Sequence, residues 1–213
     1  MNFIKINAWY SQNKRQFLWR YNPTPYRILI AELMLQRTKA EQVEPVYEGF
    51  LKQYPDIQVL SKAKLNSVEK YTSTLGLHWR ANNFINAAKF INTNYKGVFP
   101  RTRKELIKIS GVGDYVGGAV SAVCFNKADY VIDSNIARVI NRYYNLQLNG
   151  EIRRKRIIIE KAKKLFKVKD QKTFLFAILD FTALVCKPAK PLCYQCPVKK
   201  SCRYKQKTVS ISN

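Results

Sequence analysis

Four cysteines near the C-terminus, Cys186, Cys193, Cys196 and Cys202, follow the pattern C-x6-C-x2-C-x5-C. Four sulfur donors on short loops can wrap a tetrahedral ion or a cubane cluster, and spacing alone leaves zinc and iron-sulfur both open. Four thiols within seventeen positions, beside Pro188, Pro191 and Pro197, do not read as small buried core residues. Two carboxylates stand out by their surroundings. Asp133 follows the apolar run Tyr130, Val131 and Ile132 and precedes a helical pattern. At such a junction an aspartate either does chemistry or caps the helix, and Ser134 and Asn135 are available as caps in its place. Glu32 is an acid inside ILIAELML. Facing the core, its carboxyl would have a raised pKa; facing solvent, it is an ordinary helix glutamate. In LIKISGVGDYVGGAV, the residues Gly111, Val112 and Gly113 form a turn between two short helices. Bare backbone N–H groups and a helix N-terminus there suit a phosphate oxygen, although a glycine pair alone also marks a plain helix stop.

Helices must position these groups, because apolar residues recur at helical spacing nearly everywhere and strand-like alternation is scarce. The expected fold is all-α. Helices are predicted from Pro25 to Arg37, then from a cap at Thr38 toward Tyr54, from Ser61 to Thr74 and from Trp79 to Asn94, with Gly76 between the last two. Short helices flank the GVG turn. A further helix follows Asp133 through Tyr144, a very basic one runs from about Glu151 to Lys167, and one spans Gln171 to Leu184. Cys124 is expected in the core.

The chain of 213 residues carries 38 Lys and Arg against 14 Asp and Glu, a formal charge of +24. That excess repels itself in a compact state, and a polyanion relieves the repulsion, so nucleic acid is the leading partner class; a Lys-rich compositional bias is the bland alternative. Residues 151–213 hold net +13 and residues 1–150 net +11, so charge is densest in the last third. No stretch approaches the ~18 uninterrupted apolar residues of a membrane span, and MNFIKINAWYSQNKR lacks a signal-peptide core. A cytoplasmic, nucleoid-associated location is expected, where thiols stay reduced and serve better as metal ligands than as disulfides.

Taken together, AELMLQRT (31–38), SGVGDYVGGAV (110–120), VIDSNIARVINRYY (131–144) and the cysteine array resemble, in order and separation, the helix-hairpin-helix DNA glycosylases. That family includes endonuclease III, the MutY-type adenine glycosylases of A/G mismatches and the archaeal-type thymine glycosylases of G/T mismatches. The resemblance implies two helical domains with a DNA cleft between them, a six-helix domain with the helix-hairpin-helix over 22–130 and a cluster domain from 1–21 plus 131–205, followed by a tail over 206–213, and a C-terminal loop holding a 4Fe-4S cluster through Cys186, Cys193, Cys196 and Cys202. It also implies catalysis of base release from a flipped nucleotide. Cleaving the glycosidic bond puts positive charge on the sugar and negative charge on the base, so one carboxylate steadies the sugar or guides water while a protonated one assists the leaving base. Asp133 aligns with the family's catalytic aspartate, and Glu32 with the glutamate that protonates the flipped base in the adenine enzymes. Tyr115 stands where bifunctional members carry a Schiff-base lysine, which implies hydrolysis by water without strong AP lyase activity.

Gln36 and Arg37 fall where family side chains enter the gap left by the flipped base, and Lys199 and Lys200 lie in the cluster loop facing DNA phosphates. Tyr115, Arg37, the motif over 131–144 and a chain that ends soon after the cluster favour thymine or uracil opposite guanine. Adenine opposite guanine or 8-oxoguanine is the alternative. A noncatalytic DNA clamp is disfavoured by Asp133 and Glu32, and a lyase by Tyr115. The implied partner is mismatch-containing double-stranded DNA, bound by a monomer.

Overall fold

The structure, a computed structural model, describes residues 3–76, 78 and 80–204. The expected tail over 206–213 and the expected helix start at Trp79 lie outside the described residues. The helices run α1 (Phe3–Asn13), α2 (Leu18–Tyr21), α3 (Pro25–Leu35), α4 (Ala40–Gln53), α5 (Ile57–Ser61), α6 (Leu65–Thr72), α7 (Arg80–Tyr95), α8 (Arg103–Leu106), α9 (Asp114–Val120), α10 (Ser134–Tyr144), α11 (Arg156–Leu165) and α12 (Gln171–Leu184). There is no strand among the described residues, as the helical periodicity predicts. The chain divides into two compact units, residues 16–127 and residues 1–15 with 128–213.

In the first unit, α3 is the central helix. Thr24 caps it by accepting from the Arg27 amide at 3.2 Å, and Pro25 occupies the first turn, where its missing N–H costs nothing. Eight of its eleven residues are buried, so it is apolar nearly all round. It packs against α4 and α9, while α5 and α6 pack against α7. The segment read as one helix from Ser61 to Thr74 is two: α5 is capped by Asp56, whose carboxylate accepts from the Val59 amide at 2.8 Å, and Ser61 ends it. A new helix starts only at Leu65.

In the second unit, α1 packs along α12, and α10 packs on α11 and α12. Asp180 on α12 is fully buried and receives both the Arg15 amide (2.9 Å) and the Arg15 Nε (2.7 Å), which ties the N-terminal segment to α12. The helix read from Glu151 starts five residues later, at Arg156. Glu151 instead folds back on Arg153, accepting at 2.9 and 2.6 Å in the preceding loop.

Candidate active site

Within residues 16–127, the end of α3 and the GVG turn are locked together. Glu32 is buried on α3, its side chain only 9% exposed as a residue. The helix stops at Leu35, two residues before the predicted end at Arg37: Gln36 turns to ψ 109, and Arg37 is an exposed residue at φ 59. The Gln36 side-chain amide donates to the Gly111 carbonyl at 3.1 Å. Thr38 does not cap the next helix. Its hydroxyl accepts instead from Arg80 Nη1 at 3.0 Å, and the same nitrogen donates to the Met34 carbonyl at 2.9 Å. Lys39 stands at the α4 cap position with no side-chain cap bond.

Arg80 is 1% exposed, and burial, with the Arg37 cation second, pulls its guanidinium down to about 10. It remains a cation at neutral pH, clamped across the turn that presents Gln36 and Arg37. Arg80→Met removes these charge-assisted bonds and leaves a buried carbonyl unserved, a loss of about 2–4 kcal/mol. A melting temperature lower by roughly 5–10 °C in calorimetry is the expected outcome.

The turn itself requires glycine. Gly111 has φ +76, and a Cβ there would meet Leu33 at 3.0 Å and Asn83 at 3.1 Å. Val112 is buried and anchors the turn, whereas Gly113 is exposed with open space beside it, so its backbone stays accessible to a phosphate. Arg103 steadies the start of α9 by donating to the Asp114 carbonyl at 2.8 Å. Tyr115, half-buried, is the second residue of α9. Glu32, Gln36, Arg37, Gly111 to Gly113 and Tyr115 thus all lie on two packed helices and their ends.

In the other unit, Asp133 is the cap of α10; neither Ser134 nor Asn135 takes that place. One carboxylate oxygen accepts from the Ile136 amide at 2.7 Å and the other from the Asn135 side-chain amide at 2.9 Å. Capping therefore orients the half-buried carboxylate and leaves lone pairs on both oxygens for other work. From Asn135 a chain of bonds continues. Arg138 donates to Asn135 Oδ1 at 2.7 Å, to the Cys186 carbonyl at 3.0 Å and to the Thr182 carbonyl at 3.2 Å. One turn on, Arg142 donates to the Lys187 carbonyl at 2.6 Å and the Pro188 carbonyl at 2.5 Å, with Cys186 Sγ at 3.8 Å.

Cys186, Cys193, Cys196 and Cys202 line one cavity, walled by Phe181 and Val185. Burial raises the Cys186 thiol, opposed by Arg142 and Arg138, and lifts Cys196 to about 11. Thiolates in this setting need positive charge from a bound metal group. Four cysteine sulfurs lining one apolar-walled cavity are a donor set that fits an iron-sulfur cluster. Lys199 and Lys200 are exposed on a single 3-10 turn between Cys196 and Cys202. Among the described residues, no helix is long and apolar enough to cross a membrane.

A family profile described as HhH-GPD superfamily base excision DNA repair protein matches residues 30–167. The chain belongs to that superfamily. The thymine/uracil-DNA glycosylase of Methanothermobacter thermautotrophicus is 32% identical over 95% of this chain and 92% of its own length. The adenine DNA glycosylase of Buchnera aphidicola subsp. Baizongia pistaciae (strain Bp) is 34% identical over 93% of this chain, but the chain spans only 56% of that relative's length. A thermostable thymine-DNA glycosylase structure superposes with a TM-score of 0.88 at 31% identity, covering 95% of this chain and 94% of that one. An endonuclease III–DNA covalent intermediate matches at 0.78 with 21% identity, which speaks for the shared fold.

The HhH-GPD resemblance read from the sequence is borne out. The residues whose role that reading passed over are Arg80, Asn135, which it offered only as a cap, Arg138 and Arg142. The last three carried a signal: positions 135, 138 and 142 fall on one face of a helix, a polar stripe beside the buried Ile136, Val139 and Ile140. Nothing local to Arg80 marks it, since its partners lie 42 and 46 residues away.

Proposed function

We propose that this protein is a monofunctional DNA glycosylase that hydrolyses the N-glycosidic bond of thymine or uracil opposite guanine in duplex DNA. It works as a monomer on the nucleoid in the cytoplasm. The observation that carries the reading is a tyrosine at position 115, in a chain 32% identical to a thymine/uracil-DNA glycosylase over 92% of that protein's length. Asp133 supplies the ionised carboxylate for the sugar, steadying its developing positive charge or guiding water to the anomeric carbon. Glu32 donates a proton to the departing base. Tyr115 packs on or bonds to the everted base, and a phenol forms no Schiff base, so an abasic site is the product. Gln36 and Arg37 occupy the gap or contact the widowed guanine. The backbone at Gly111 to Gly113 and the side chains of Lys199 and Lys200 hold phosphates.

The four cysteines would hold a 4Fe-4S cluster. When bound, it would supply a rigid anchor for the loop and a redox-active centre. The protein's own part is the Arg138 and Arg142 clamp, which orients that loop and, through Asn135, the Asp133 carboxylate.

The test offers end-labelled duplexes with G:T, G:U, A:G and A:8-oxoguanine pairs, followed by alkali. Alkali-dependent cleavage at thymine and uracil is expected, and selective release of adenine would transfer the reading to the adenine glycosylases, which the 34% identity to one of them keeps as the second reading. Tyr115→Lys should add strand cleavage that needs no alkali and should trap covalently with borohydride, because an amine two residues past Gly113 then reaches the sugar. Cleavage that still depends wholly on alkali in that variant would contradict the placement of Tyr115.

A further inference from the structure

Residues 151–169, the loop before α11, α11 itself and the turn after it, hold nine Lys or Arg against two Glu. The buried side of α11 is apolar, formed by Ile158, Ala162 and Leu165. The other side exposes Arg156, Lys163 and Lys164, continued by Arg154 and Lys155 before the helix and Lys167 after it. Both glutamates are engaged within the segment: Glu151 takes Arg153 at 2.6 Å, and Glu160 takes Arg156 at 2.8 Å. The remaining excess is not explained by the fold. Lys163 and Lys164 sit in the last helical turn, where the dipole favours cations, but Arg154 and Lys155 before the helix and Arg156 at its first position crowd the N-terminal end, where it disfavours them. Lys155 stands at the cap position and offers no side-chain cap bond. Arg156 has its i,i+4 bond to Glu160, but Arg154 and Lys155 stand at the unfavourable end of the dipole without a cap bond and add to the local repulsion.

We infer that the exposed face of α11, with its flanking turns, is a second phosphate-binding surface for duplex DNA, separate from the GVG turn and the cluster loop. A duplex presents one charge per about 1.7 Å of axis, so a row of cations along a ten-residue helix meets several phosphates at once. Contacts from these cations to phosphates carry no sequence information, so the face binds any sequence and supplies the affinity for undamaged DNA that a search for rare mispairs requires.

The experiment measures binding of an undamaged 30-base-pair duplex by fluorescence anisotropy at increasing salt. It uses the full chain and two variants, Lys163→Gln/Lys164→Gln/Lys167→Gln and Arg154→Gln/Lys155→Gln. Each lost phosphate contact lowers the slope of log K against log salt by about 0.9, so the triple variant should lose about 2–3 in slope and at least tenfold in affinity. A charge-matched control, Lys62→Gln/Lys64→Gln/Lys70→Gln, changes exposed lysines of the other unit and should stay near the wild-type slope. Equal losses in the control and the α11 variants, or none in the latter, would overturn the inference in favour of diffuse charge. The inference rests on DNA being the substrate but not on which base is released: absence of base release would defeat the glycosylase reading and leave this binding result standing.

Discussion

Asp133→Asn yields a folded protein that binds DNA and releases base slower by about three orders of magnitude, within the range lost when a positioned catalytic carboxylate is removed. Separation of chemistry from folding is possible here because the side chain does two things at once. As the α10 cap it accepts the Ile136 amide at 2.7 Å, and asparagine caps as well as aspartate does, so the melting temperature should hardly move. The negative charge, in contrast, has no substitute. An amide cannot balance an oxocarbenium-like sugar or polarise a water, and the chain from Asn135 through Arg138 to the Cys186 carbonyl leaves no spare carboxylate nearby in that network. The measurement is single-turnover excision on G:T and G:U duplexes beside a thermal melt. A rate within tenfold of wild type, in a protein that melts normally, removes Asp133 from the chemistry.

Glu32→Gln should be the next most damaging change, at about a hundredfold, because it swaps a proton donor for a near-isosteric amide in a buried position. Packing along α3 is retained, since volume and hydrogen-bonding reach are nearly equal. The two losses should differ in kind. A base that departs more readily as an anion, such as a 5-halogenated uracil opposite guanine, needs less protonation, so it should recover much of the Glu32→Gln loss and little of the Asp133→Asn loss. Equal recovery in both variants would show that Glu32 does not serve the leaving base.

Much of this molecule was legible from residues alone, and the legible parts share a cause. The helix over Gln171–Leu184 was read to both ends, because its apolar positions and the adjacent Asp170 are local signals. The left-handed Gly111, the proline that starts α3 and the cysteine array were equally readable, since each expresses a preference that one or a few neighbouring residues impose on the backbone or on a metal. Local chemistry also misled. Thr38 looks like a cap until Arg80 takes its hydroxyl, and Ser61 opens no helix because Asp56 had already started one that ends there.

By itself, then, the sequence determined the helical class, the family, the charge and the identities of the groups that could act, because these follow from composition, short-range periodicity and motif spacing. Only the tertiary structure decided what holds those groups: Arg80 across the Gln36–Arg37 turn, Gln36 on the Gly111 carbonyl, and Arg138 between Asn135 and Cys186. Each of these contacts joins residues 42 to 75 positions apart, apart from the short step from Arg138 to Asn135. A side chain meeting a distant carbonyl depends on how helices pack, and no local preference of either residue encodes that meeting.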